Sequence, residues 1–125
     1  MTSPLNLSPT EFTPAVRYEP SSCELIFEGE SYPENVAAFF GPILEWVRGA
    51  MNEKAELKVI FALDYLNTSS TKALLDLLSE LDSYHLKGGP VTVTWRYRAG
   101  VEIMQEAGAE LGEDLQLPYR LEAIE

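Results

Sequence analysis

The string Tyr65-Leu66-Asn67-Thr68-Ser69-Ser70-Thr71-Lys72 gathers the side chains of this sequence best suited to chemistry: four consecutive hydroxyls, Thr68 to Thr71, after an amide and before a cation. They fall where an apolar run gives way to a leucine-spaced segment, which is the passage from a strand into a helix. Asn, Ser and Thr are preferred there because their side-chain oxygens accept from the orphan amides of the first helical turn, each such cap contributing about 1 kcal/mol. One residue suffices for that task, and four leave hydroxyls to spare. A helix N-terminus also favours anions through its free N–H groups and dipole, so a phosphoryl group carried there meets a favourable field while adding about −1.5 to −2 charges. Two readings stand side by side. The cluster is a helix cap in a constitutive scaffold or anion-binding module, or it holds the acceptor of a phosphorylation switch.

Other reactive types are less well placed. His85, the sole histidine, follows Tyr84 near the end of the same helix and reads as a solvated helix-end residue. Cys23, the sole cysteine, has glutamates near it and no base to lower its pKa. It reads as a structural thiol, forms no internal disulfide or CxxC pair, and suits a reducing cytoplasm. Glu106, Glu110, Glu113 and Asp114 share one helix and its exit, the pattern of a solvated face rather than of a metal set or a glycosidase pair. GxGxxG, Walker-type and HExxH motifs are absent from the sequence. Nothing here asks for an enzyme, a cofactor or a metal.

The elements that must position the hydroxyl string follow from periodicity. A chain of 125 residues, 46% hydrophobic, has the size and apolar content of one folded domain. Twenty acids against nine bases give a net charge of −11, the wrong sign for nucleic acid or an anionic membrane surface, and no apolar run is long enough to span a bilayer. Residues 1–14, with Pro4, Pro9 and Pro14, read as a flexible N-terminal arm leading into a domain over 15–125. Ala15–Tyr18 and Cys23–Glu28 predict a hairpin at a sheet edge. Ser31 and Glu34 have capping-box spacing, which starts a helix that is kinked or irregular at Gly41-Pro42 and that ends near Gly49 to Asn52. Leu57–Leu63 is apolar on both faces, as a central strand covered by helices on each side is. Leu74, Leu78 and Leu81 line a second helix reaching about Lys87, where Gly88-Gly89-Pro90 stops it. Val91–Tyr97 alternates as a strand, Val101, Met104, Gly108 and Leu111 mark the buried stripe of a third helix, and Pro118–Ala123 predicts a last strand. The fold class is α/β, a single-domain mixed β-sheet with helices packed against it in the order β-β-α-β-α-β-α-β.

Three strings carry a resemblance beyond this pattern: Ser31-Tyr32-Pro33-Glu34-Asn35, then Tyr65 to Ser70 with Lys72, then Val91-Thr92-Val93-Thr94-Trp95-Arg96-Tyr97, followed by Glu113-Asp114 and Pro118-Tyr119. In this order and separation the chain resembles the SiaC family of bacterial regulatory phosphoproteins. The resemblance implies a fold similar to STAS domains of the anti-sigma-factor-antagonist type. It implies phosphorylation of Thr68, framed by Asn67, Ser69, Ser70 and Lys72, by a Ser/Thr kinase of the histidine-kinase-like ATPase type, and removal of the phosphate by a PPM-type phosphatase. It further implies that the unphosphorylated form binds and activates a diguanylate cyclase, raising cyclic di-GMP and favouring aggregation or biofilm growth. Arg98 departs from the family pattern, which has an acidic residue straight after the W-x-Y of that strand. Divided into residues 1–33, 34–70, 71–98 and 99–125 the chain carries −4, −2, +1 and −6, so the segment that follows Thr68 is the one with more bases than acids, and a phosphate there is less opposed than the net charge suggests.

Overall fold

Three strand–helix–strand units cross the sheet in one direction, and that direction decides where the helices lie. The computed structural model describes residues 3–125. In it β1 (Asn6–Leu7), β2 (Ala15–Glu19) and β3 (Glu24–Ser31) are joined antiparallel, and β4 (Leu57–Leu66), β5 (Val91–Arg98) and β6 (Tyr119–Ile124) add to β3 as parallel neighbours in sequence order. Helices α1 (Val36–Asn52), α2 (Thr68–Leu86) and α3 (Glu102–Gly112) fill the three crossovers. Crossovers between parallel strands are right-handed, so three successive steps in the same direction put all three helices on the same face. One core results. Leu25, Val59 and Val93 stand in register across β3, β4 and β5, as do Phe27, Phe61 and Trp95, and these rows meet Ile43 and Val47 of α1, Leu74 and Leu78 of α2 and Met104 of α3. Ring centroids lie 4.8 Å apart for Phe27 and Phe61 and 5.7 Å for Phe61 and Trp95.

From Ala15 onward the order β-β-α-β-α-β-α-β is that read from the sequence. The strand Leu57–Leu63, however, has helices on one face and not on both. Ile60 is still only 5% exposed, because on the helix-free face it lies among Lys58, Thr92, Thr94 and Arg96, whose side chains screen it. Apolar residues on both faces of a strand thus do not require helices on both.

Three local expectations are also corrected. The described part of the expected flexible arm lies against the sheet: Leu5 and Leu7 pack on the core, β1 pairs with β2, and Trp46 Nε1 donates to Ser3 O at 2.9 Å. Two leucines with apolar surface to bury, beside a strand edge with free backbone groups, account for this. The Ala15–Glu19 hairpin strand is therefore not the sheet edge. Ser31 does not cap α1; it closes β3, and Asn35 Oδ1 accepts from Ala38 N at 3.0 Å instead. One helix spans Gly41-Pro42, as the sequence indicates, and the Ala38 carbonyl that Pro42 deprives of a donor lies on the exposed side of α1.

Helix α3 is drawn onto β5 and β6 by glycines and by two aromatic donors. A Cβ at Gly108 would lie 2.2 Å from the Trp95 ring, and one at Gly112 2.3 Å from that of Tyr119. Trp95 Nε1 donates to Met104 O at 2.9 Å and Tyr119 Oη to Gly108 O at 2.6 Å. Burial pushes the Tyr119 phenol pKa well above its usual value. Gly108→Ala is expected to lower unfolding free energy by about 1–3 kcal/mol through overpacking. Gly49→Ala, in α1 where an added methyl meets nothing within 4 Å, is expected to raise it by about 0.4–1 kcal/mol. Urea titrations of the two variants check the contrast.

Candidate functional site

Strand β4 ends at Leu66 and α2 begins at Thr68, with Asn67 between them in extended conformation at φ −86° and ψ 175°. Asn67 Oδ1 accepts from Ser70 N at 2.9 Å, so the cap of α2 is the amide side chain and none of the four hydroxyls. The Asn67 carbonyl accepts from Thr71 N at 2.9 Å and from Thr71 Oγ1 at 3.1 Å. Its own N–H donates to Ser31 O at 3.0 Å, which anchors the turn to the end of β3.

The four hydroxyls, equivalent by type in the sequence, have four different surroundings. Ser70 is fully buried; its Oγ donates to Ser31 O at 3.1 Å and lies 2.8 Å from Ser31 Oγ. A hydroxyl has one proton, so with that of Ser70 on the carbonyl the Ser31 hydroxyl donates to Ser70. Ser31 and Ser70 are the two buried polar side chains among the described residues, and each satisfies the other. Thr71 is half-buried and committed to the backbone. Ser69 is exposed and donates to Asn67 Oδ1 at 3.2 Å. Thr68 is exposed at the first helical position, and among the described residues its hydroxyl has no hydrogen-bond partner. The first intrahelical bond of α2 begins at Thr71 N and the cap takes Ser70 N, which leaves the amides of Thr68 and Ser69 as the free donors of the helix end.

Two surfaces flank Thr68. On one side a groove of about 340 Å³ opens between α1 and α2, floored by Val36, Phe40, Ile43 and Leu77, with Ser69 and Lys72 on its rim. Lys72 is exposed and lies 3.7 Å from Asp76 one turn along α2. On the other side Tyr65, 48% exposed, stands edge-on to Tyr32 at 5.7 Å between centroids, and Tyr32 stands edge-on to Phe12 at 5.4 Å. Arg98 Nε donates to Asp64 Oδ1 at 2.9 Å, an exposed ion pair between the ends of β4 and β5. That ion pair raises the Arg98 pKa further above its already high value.

Asn67, Thr68, Ser69, Ser70 and Lys72 thus lie together at the start of α2, with Ser70 buried, Asn67 half-buried and Thr68, Ser69 and Lys72 exposed. Sequence reasoning missed Ser31 as the partner of Ser70 and the row Phe12, Tyr32 and Tyr65. The Ser31-Tyr32 string was in view, but capping-box spacing assigned its serine to α1. His85 lies near the far end of α2 in a shallow cleft with Glu56, Gly88 and Pro90. Cys23 lies in the β2–β3 turn with φ 59°. Among the described residues no three His, Cys, Asp or Glu side chains converge as metal ligands would. A free hydroxyl beside two free amides, on a helix end held rigidly from below, can accept a phosphoryl group without disturbing a bond of the fold.

The chain is similar to known proteins along nearly its whole length. A family model described as SiaC family regulatory phosphoprotein matches residues 7–124. An uncharacterised protein of Pseudomonas aeruginosa strain UCBPP-PA14 is 36% identical over 122 residues, 97% of each chain. A crystal structure of the diguanylate cyclase SiaD in complex with its activator SiaC from Pseudomonas aeruginosa includes a chain with TM-score 0.91 at 35% identity, covering 96% of this chain and 99% of that one. SiaC of the same organism superposes with TM-score 0.90 at 35% identity, covering 98% and 99%.

The serine pair has a measurable signature. Ser70→Ala strands the Ser31 hydroxyl in the core and is expected to cost about 1–3 kcal/mol. Asn67→Ala removes the cap for about 0.5–2 kcal/mol, whereas Thr68→Ala stays within about 0.5 kcal/mol of the parent. The Ser31→Ala, Ser70→Ala double variant is expected to lose less than the sum of its singles in urea unfolding, since neither hydroxyl is then orphaned.

Proposed function

The chain belongs to the SiaC family of regulatory phosphoproteins, and on that premise we propose that it is a switch reversibly phosphorylated on Thr68. It is a regulatory partner protein and not an enzyme. The observation that carries the choice of residue is the sorting of the hydroxyls: Ser70, Thr71 and Ser69 are engaged in holding the turn, and Thr68 alone is exposed and free. Because Asn67 supplies the cap, a role for Thr68 as mere cap has no support from the geometry. In this reading the kinase is a Ser/Thr kinase of the histidine-kinase-like ATPase type, the eraser is a PPM-type phosphatase, and all three act in the cytoplasm. No described helix is long and apolar enough to cross a membrane.

The output is a diguanylate cyclase, bound and activated by the unphosphorylated form. The support is the relative crystallised as activator of SiaD, which this chain matches along nearly its whole length. Phosphate on Thr68 acts at the surface. The dipole and the free amides of Thr68 and Ser69 stabilise an anion there by about 0.3–1 kcal/mol, so α2 has no reason to unwind. A partner seated over the groove or the aromatic row meets about −1.5 to −2 new charges, and like-charge juxtaposition at an interface costs several kcal/mol.

Incubation with the cognate kinase and ATP, read by phosphate-affinity gels and mass spectrometry, is expected to place one phosphate on Thr68 and none on the Thr68→Ala variant. Equal phosphorylation of that variant would remove the assignment. The phosphorylated protein is expected to bind the cyclase on the order of 100-fold more weakly, about 2.7 kcal/mol, with amide shifts confined to residues 64–72. Unchanged cyclase binding would favour the constitutive scaffold, and shifts throughout the domain would mean refolding.

A further inference from the structure

Strand β6 is last in the sheet order, and among the described residues its outer edge pairs with nothing. The direction of its backbone groups can be read from its inner edge. Val93 N donates to Pro118 O at 2.9 Å and Ala99 N to Ile124 O at 2.7 Å, so the carbonyls of 118 and 124 point towards β5. Backbone groups alternate sides along a strand, which turns the N–H and C=O of Tyr119, Leu121 and Ala123 outward. The opposite edge of the sheet is guarded, since β1 is two residues long and bracketed by Pro4 and Pro9. In β6 there are six residues, no proline, and a leucine, Leu121, that is 39% exposed.

We infer that β6 pairs antiparallel with β6 of a second copy of this chain, about a twofold axis through Leu121, joining two six-stranded sheets into one. In that register Leu121 stands opposite the partner's Leu121 and Tyr119 opposite the partner's Ala123. Each of these is a hydrogen-bonded pair that exchanges two N–H···O bonds, so every outward group of Tyr119, Leu121 and Ala123 is satisfied. Arg120 then stands opposite the partner's Glu122, and Glu122 opposite the partner's Arg120. Sliding the axis to position 120 sets Arg120 against the partner's Arg120, and sliding it to 122 sets Glu122 against the partner's Glu122. Like charges directly opposite destabilise a strand pair, so the two charges select the Leu121 register. Arg120 is free to turn: its side chain is 69% exposed and its contact with Glu122 Oε2 is 3.1 Å. The edge is short and each copy carries −11, so the dimer belongs to the weak, transient class and needs salt to screen long-range repulsion.

Sedimentation equilibrium of the full chain, from about 10 µM to 1 mM at about 0.15 M salt, is expected to show an average mass rising from 14.0 kDa towards twice that value. Leu121→Pro deletes an outward N–H while leaving the β5–β6 ladder intact, a place where an edge strand accepts proline. It is expected to weaken the dimer at least 10-fold with an unchanged circular dichroism spectrum. Arg120→Glu, an exposed substitution that places carboxylates opposite each other, is expected to do the same, and it decides the matter if the proline variant misfolds. A parent chain that stays monomeric at 1 mM, or a folded Arg120→Glu variant that dimerises as well as the parent, overturns the inference.

Discussion

The stepwise march from β3 to β4 to β5 to β6 is the constraint on which the rest of the molecule depends. With right-handed crossovers and no reversal of direction, α1, α2 and α3 have one face of the sheet available to them. The core therefore lies on that side alone, between one set of alternating strand residues and three helix stripes. Consecutive helices become neighbours, which creates the groove between α1 and α2, and the N-terminus of α2 emerges at the same end of the sheet as the end of β3. The other face is left to ion pairs between strands: Arg17 with Glu28, Arg96 with Glu122, and Arg98 with Asp64. Growth of the sheet in one direction also places β6 last in the strand order, with its outer edge unpaired among the described residues.

Within that frame the buried pair Ser31 and Ser70 does for the site what the rings of Phe27, Phe61 and Trp95 do for the core. Two hydroxyls taken out of water are costly when alone and tolerated here because the Ser31 hydroxyl bonds to that of Ser70 while Ser70 donates to the Ser31 carbonyl. Ser70 Oγ and Asn67 N both reach Ser31, so the first turn of α2 is tied to a strand end 39 residues earlier. A modification on the outward side of such a turn changes charge on a fixed platform. Asn67 contributes in a second way, since by capping the helix it releases Thr68 from that duty. At the same end of the sheet the Arg98 guanidinium pairs with Asp64 across β4 and β5, at the surface.

Much of this was legible in the chain. Leu74, Leu78 and Leu81 at helical spacing, Val91, Val93 and Trp95 in alternation, and Gly88-Gly89-Pro90 as a stop gave elements whose ends lie within a few residues of those observed. Such signals are local, set by neighbours two to four residues away. Ser31 shows where locality misleads. Its spacing to Glu34 satisfies a capping box, yet Asn35 was equally able to cap, and a buried partner on α2 claimed the serine. Leu5 and Leu7 were hidden by the prolines around them, and Ile60 by the inference that a buried residue lies under a helix.

By itself the sequence determined the single α/β domain, the order of its elements, the acidic surface and the hydroxyl string at the start of α2. It also carried the family, through strings whose order and separation are specific. Only the tertiary structure decided which hydroxyl is exposed and free, that all described helices share one face, that Phe12, Tyr32 and Tyr65 form a row beside the site, and that the outer edge of β6 pairs with none of the described residues. The reason is one of distance along the chain. Periodicity and capping are fixed by residues within a turn or two, whereas a hydroxyl becomes buried or free only when residues from three segments meet, here the end of β3, the end of β4 and the first turn of α2.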